Sequence, residues 1–207
     1  IRRFIQTSRV PLEAANGGPL VVNHLHLRQW NPKTKTMDGL SYCIGRVAER
    51  AEGMSGHHIA KTGDGIPRTL FVADEASGID QEAFDKSSEW RHRSLIIGNP
   101  YNCENEFRWS DEGKPGTDDS GGDIPRAAND PRGGYIRKLI RITGEDSPNV
   151  KLGKAEEVAR KPISNRILVP GVLPYEDYCR QLIKWDPIKI CVGIKARFYR
   201  GTQVLMY

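Results

Sequence analysis

Two adjacent carboxylates, Asp74 and Glu75, follow an apolar run in the stretch TLFVADEAS, residues 69–77. An apolar strand that ends in acids delivers them to the carboxyl edge of a sheet. There the first acid can help to hold Mg²⁺ through water, and the second can polarise a water molecule for attack on a phosphate. Acid pairs also close ordinary turns, so the next strand matters. SLIIGNP ends on Asn99, one predicted helix further along the chain. An amide on the neighbouring strand end can sense a terminal phosphate or position the attacking water. Gly-Asn-Pro is by itself a common strand-ending turn. Paired with the acidic strand, it makes a two-strand polar edge.

A nucleotide site also needs a phosphate cradle of the form Gly-x-x-x-x-Gly-Lys-Ser/Thr. None occurs. The nearest stretch, SGHHIAKT at residues 55–62, has Ser55 and Ala60 where the glycines belong, and the GDGIP that follows cannot open a helix. The cradle is therefore expected upstream of Ile1. A chain that begins on Ile1 and ends on Met206 and Tyr207 reads as a piece of something longer.

Other reactive side chains read as ordinary. His24 and His26 share a strand face but have no third ligand nearby. His57 and His58 sit in a loop and read as structural, with a role at the nucleotide edge as the alternative. Asp118, Asp119 and Asp123 lie among glycines and read as a solvated acidic loop, not a rigid cation site. Cysteines stand at 43, 103, 179 and 191 with no Cys-x-x-Cys pair, which argues against a zinc ribbon and fits a reduced compartment. Trp30, Trp90, Trp109 and Trp185 lack the spacing of a stacking platform and read as packing residues. Lys189, Lys195, Arg197 and Arg200 occupy a tail without acids, and are candidate contacts for DNA phosphates or a plain basic surface.

The elements that must position these residues follow from periodicity. Residues 19–28 alternate and predict one strand. A turn is expected over 31–39, then a helix over 41–53 with Ile44, Val47, Ala48 and Ala51 on one side. The run 69–73 predicts a strand buried on both faces of a parallel sheet. Residues 79–88 predict a helix with Asp80 as its cap and Glu82 in the first turn. The run 94–98 predicts the second strand, so that strand, helix and strand form a parallel α/β unit. Residues 110–134, rich in Gly, Pro and Asp, predict a long mobile loop. A strand over 135–143, a helix over 175–185 and two strand-like runs, KICVGIKARFY and TQVLMY, complete the reading.

Composition sets the outer limits. Lys and Arg number 31 against 26 Asp and Glu, a net charge of +5, which permits a polyanionic partner without requiring one. At 207 residues, with 38% apolar and 28% charged side chains, the chain is long enough for one core and too apolar for a disordered chain. No apolar run approaches the ~20 residues of a membrane span, and the first residues lack the apolar core of a secretory signal.

TLFVADEASGIDQEAF followed by RSLIIGNP resembles the motor ATPase half of large terminase subunits from tailed phages and prophages. EGMSGHH at 52–58, ITGEDSPNV at 142–150 and the helix plus WDP near Trp185 are similar to the same family. The likeness runs from about Pro19 onward. The resemblance implies a P-loop NTPase-like, mostly parallel sheet lacking its phosphate-loop part, over residues 1–150, and a linker subdomain over 151–207 leading toward a missing nuclease domain. It implies an ATP-driven motor that packages double-stranded DNA into a procapsid, with ATP and Mg²⁺ as cofactors. Portal and small terminase subunits would be partners, and a homo-oligomeric ring working in the bacterial cytoplasm would be the assembly. By position, Asp74 would bind Mg²⁺ (the Walker B role), Glu75 would be the catalytic base and Asn99 would fall in the coupling segment. The Walker A loop and the nuclease acids are not in this chain, so activity of the chain alone is not expected. The alternatives are a non-catalytic prophage remnant that binds DNA or a partner chain, and a helicase-like DNA-dependent ATPase.

Overall fold

The computed structural model describes residues 5, 10, 12–22, 26–45 and 69–200, with 37–41 as backbone only. These fall into two compact units. One takes the residues up to Leu70 with Asp85–Arg93, and the other takes Phe71–Phe84 with the chain from Ser94 onward. Across both, the architecture is mixed α/β, with three small sheets, of which one is parallel.

In the first unit, β1 (Leu20–Val22), β2 (His26–Asn31) and β3 (Thr36–Ile44) form an antiparallel sheet in the order β1-β2-β3. The single strand expected over 19–28 is thus two paired strands, with Val22 opposite Leu27. The turn that follows is tight. Asn31 Oδ1 accepts the Lys33 N–H at 3.0 Å, and Lys35 adopts φ 55°. The expected helix is corrected at its start, because Tyr42, Cys43 and Ile44 lie in β3 opposite Arg28, Leu27 and His26. Cross-strand pairing of a Tyr, a Cys and a β-branched Ile outweighs the weak helical period. Val47, Ala48, Ala51, His24, His57, His58 and the stretch 55–62 lie outside the described residues.

The expected strand–helix–strand unit is present. β4 (Leu70–Ala73) and β5 (Arg93–Ile96) pair, joined by a 3-10 turn at Ala76–Gly78 and helix α1 (Gln81–Ser88). The Arg93 N–H donates to the Thr69 carbonyl at 3.0 Å and the Ile97 N–H to that of Ala73 at 2.8 Å, the constant offset of a parallel ladder. Burial on both faces of β4 is not observed. Phe71 and Ala73 are buried, whereas Leu70 and Val72 are 58% and 52% exposed. On the buried side Phe71 meets Phe84 of α1 edge-on at 6.0 Å.

The rest of the second unit departs further from periodicity. Helix α2 (Glu106–Glu112) begins before, and runs into, the segment expected to be loop. The loop beyond it is pinned. Asp119 holds Arg137 through two hydrogen bonds of 2.7 and 2.8 Å, and Asp130 holds Arg132. The strand expected over 135–143 shrinks to β7 (Tyr135–Arg137), paired with the two-residue β6 (Ile124–Pro125). Past it the Leu139 N–H donates to the Asp123 carboxylate instead of a ladder partner. The Arg141 guanidinium donates to the Ala196 carbonyl and to Asp111.

Helices α3 (Pro148–Val158) and α4 (Tyr175–Lys184) enclose the core cluster Val150, Tyr175, Tyr178 and Ile194, with Trp185 against it. Gly153 is required there, because a Cβ would lie 2.1 Å from Tyr175 Cγ. The strand-like reading of 189–199 is overturned as well. Asp186 accepts the Lys189 N–H, Pro187 occupies the first helical position, and the chain continues as helical turns through Ile190–Ile194. A cap followed by Pro starts a helix whatever the alternation downstream. Residues 202–207, the other strand-like run, lie outside the described residues. No described helix is long and apolar enough to cross a membrane.

Candidate functional site

At the carboxyl end of β4 the ladder breaks over two residues. Ile97 donates its N–H to the Ala73 carbonyl and accepts the Ala76 N–H at 3.0 Å with its own carbonyl. Asp74 and Glu75 therefore bulge out opposite a single residue of the partner strand, and both are exposed. Glu75 sits at φ 51°, ψ 44°, the left-handed region that costs a non-glycine residue about 1–2 kcal/mol. Its N–H is held at 3.0 Å by Asp74 Oδ1.

On β5 the chain passes through Gly98 before Asn99. A Cβ at Gly98 would lie 2.9 Å from the Ala76 nitrogen and 3.5 Å from the Glu75 carbonyl carbon. Glycine thus lets the two strand ends approach to backbone contact. Asn99 is exposed, and its carbonyl accepts the Tyr101 N–H at 2.7 Å in a tight turn. The sequence-predicted residues Asp74, Glu75 and Asn99 are in this way brought to neighbouring strand ends at one sheet edge.

Two side chains that the sequence reading missed hold this edge in place. Asn105, 2% exposed, caps α2 by accepting the Phe107 and Arg108 N–H groups. Its amide nitrogen reaches back to the Ala76 and Ile79 carbonyls at 2.9 and 2.7 Å, fastening the turn that carries Glu75. Gln81 Oε1 accepts the Glu106 N–H at 2.6 Å. An Asn ahead of Glu-Phe was a visible capping signal, whereas its hold on residues 76–79 was not.

The tail cations divide into two groups. Arg200 donates to Glu112 Oε1 at 2.7 Å, and Lys189 lies 3.5 Å from Asp186. Burial pushes the Glu112 carboxyl up, but hydrogen bonds from Arg108 and Arg200 outweigh it and leave the group below the usual carboxylate range. Arg200 is thus tied to Glu112 while its side chain stays largely exposed. Lys195 and Arg197 are exposed. Asp119 and Asp123 are bound to Arg137 and Lys138, so the acidic loop has no free carboxylate pair for a cation.

A divalent cation that keeps most of its water needs one or two carboxylates plus phosphate oxygens and not a protein cage. Asp74 could supply one such carboxylate, and its Oδ1 accepts the Glu75 N–H. Among the described residues there is no cluster of three or more side chains that would make a closed metal site. Comparison with family models, curated proteins and solved structures finds no match to this chain.

Proposed function

We propose that this chain carries the acidic edge of an ATP-driven DNA-packaging motor, the ATPase half of a large terminase subunit. One observation carries the reading. Two parallel strands joined by a helix present an acidic pair, strained outward at Glu75, beside an amide on the adjacent strand end. That is the side of an open α/β sheet where ligands bind.

Mg²⁺ bound with the nucleotide would supply charge neutralisation at the phosphates. Asp74 would help to hold that ion, through water. The chain's own residues do the rest. Glu75, held outward by its backbone, accepts the proton of the attacking water. Asn99 donates its amide toward the terminal phosphate and thereby couples the state of the nucleotide to β5. The phosphate cradle has to come from outside this sequence, so the 207-residue chain alone is expected to bind ATP poorly.

The test is ATP turnover by the product of the whole reading frame, with double-stranded DNA present. Glu75→Gln should lower kcat by about 10²-fold or more while ATP affinity stays nearly unchanged. Turnover equal to that of the unaltered protein would remove Glu75 as the base and the motor reading with it.

A further inference from the structure

Residues 158–172 are exposed at every position. They include Ile167, Leu168, Val169 and Val172, at 57%, 46%, 42% and 38% exposure. They also include Arg160, Lys161 and Arg166, and no acid occurs between Val158 and Tyr175. Exposed apolar and cationic side chains are thus interspersed along one continuous stretch of chain.

The segment's backbone is nonetheless held by side-chain hydrogen bonds. The Glu156 carboxylate accepts the Ser164 N–H at 2.8 Å and its hydroxyl at 2.7 Å. Asn149, 2% exposed, accepts the Leu168 and Val169 N–H groups and donates to the Val169 and Val172 carbonyls. Every hydrogen-bonding valence of that amide goes to holding the apolar stretch in one shape. The Ser147 hydroxyl donates to the Leu173 carbonyl at 2.6 Å and fixes the exit. At the entrance, α3 ends with the Arg160 N–H on the Glu157 carbonyl and the Lys161 N–H on that of Glu156. Arg160 takes φ 52°, a position that suits glycine, so a cation is kept there against backbone strain.

We propose that residues 158–172 are a preformed docking loop for an acidic, amphipathic segment of another protein. Charge complementarity selects the partner. The loop carries three cations among exposed apolar side chains and no acid of its own, and the neighbouring Glu156 carboxylate is taken up by Ser164, so it fits carboxylates flanking apolar side chains. A second copy meeting this loop through a two-fold axis would set cation against cation. Nucleic acid would use the cations but leave the apolar centre in water. Preorganisation lowers the ordering cost on binding, which is what the Asn149 and Glu156 bonds accomplish. This inference goes beyond the motor reading and does not depend on it.

The test is selection of a random displayed peptide library on the folded protein, followed by fluorescence anisotropy with the recovered peptides. Recovered sequences should combine Asp or Glu with apolar residues at helical spacing. The double variant Ile167→Ser with Val169→Ser should weaken them at least about tenfold, with an unchanged thermal midpoint. Arg160→Gln with Arg166→Gln should weaken them and flatten their salt dependence. Failure to recover peptides, or equal binding to the variants, overturns the proposal. Duplex DNA binding that both double variants abolish would overturn it in favour of nucleic acid. A dimer in sedimentation that the Ile167 and Val169 changes dissolve would overturn it in favour of self-association.

Discussion

Asn105 has a different task at each end of its amide, and the two tasks can be separated. Its oxygen caps α2 and its nitrogen holds the Ala76 and Ile79 carbonyls. Asn105→Asp keeps an acceptor for the cap, at a helix N-terminus that favours negative charge, but offers no donor to the two carbonyls. Leaving buried acceptors unmet costs about 1–3 kcal/mol, so both Asn105→Asp and Asn105→Ala should lower the urea midpoint clearly. Hydrogen exchange should tell them apart. Asn105→Asp should loosen residues 76–79 and spare the first turn of α2, whereas Asn105→Ala should loosen both. Uniform loosening in the two variants would refute this division of labour. The placing of Asp74, Glu75 and Asn99 at strand ends was legible in the sequence because a strand followed by acids or a Gly-Asn-Pro turn is a local pattern. Asn105 and Gly98 were not, because what they do depends on backbone brought in from another part of the chain.

Among the elements, alternation alone misled wherever no partner strand was available. Residues 135–143 alternate cleanly, yet only three of them form β7, and beyond it the Leu139 N–H goes to the Asp123 carboxylate instead of a partner strand. The β4–α1–β5 unit was legible because its strands supply each other's ladder. In the loop after α2, ion pairs span 18 residues of sequence, which no local pattern makes legible. Their hold on the loop should depend on pH. The Arg137 fork, with the Gly121 N–H, holds the Asp119 carboxyl well below the usual carboxylate range. A depressed carboxyl stabilises the fold above its unfolded value of about 3.9, and the stabilisation is lost as pH falls through the folded value. Protection of residues 119–137 in hydrogen exchange, corrected for intrinsic rates, should therefore survive at about pH 5 and fall by about pH 2.5. Asp119→Asn should show the loosened loop already at the higher pH. If that variant matches the unaltered protein there, the fork is not what orders the loop.

For the whole molecule, a surplus of five charges matters only through where the cations stand. Two of the four tail cations are tied internally, Arg200 to Glu112 and Lys189 to Asp186. Lys195 and Arg197 are exposed, and no carboxylate pairs with them among the described residues. If the chain meets double-stranded DNA, these two should make phosphate contacts that release counterions. Each such contact contributes about 0.9 to the slope of log K against log salt. The double variant Lys195→Gln with Arg197→Gln should therefore flatten that slope by about 2 and weaken binding alike on unrelated duplexes. Arg200→Gln should leave the slope unchanged and instead lower stability, since it removes one of the two arginines on Glu112. A slope unaltered in the double variant would place any DNA contact elsewhere. A slope that falls with Arg200→Gln would mean that its bridge to Glu112 opens when DNA binds.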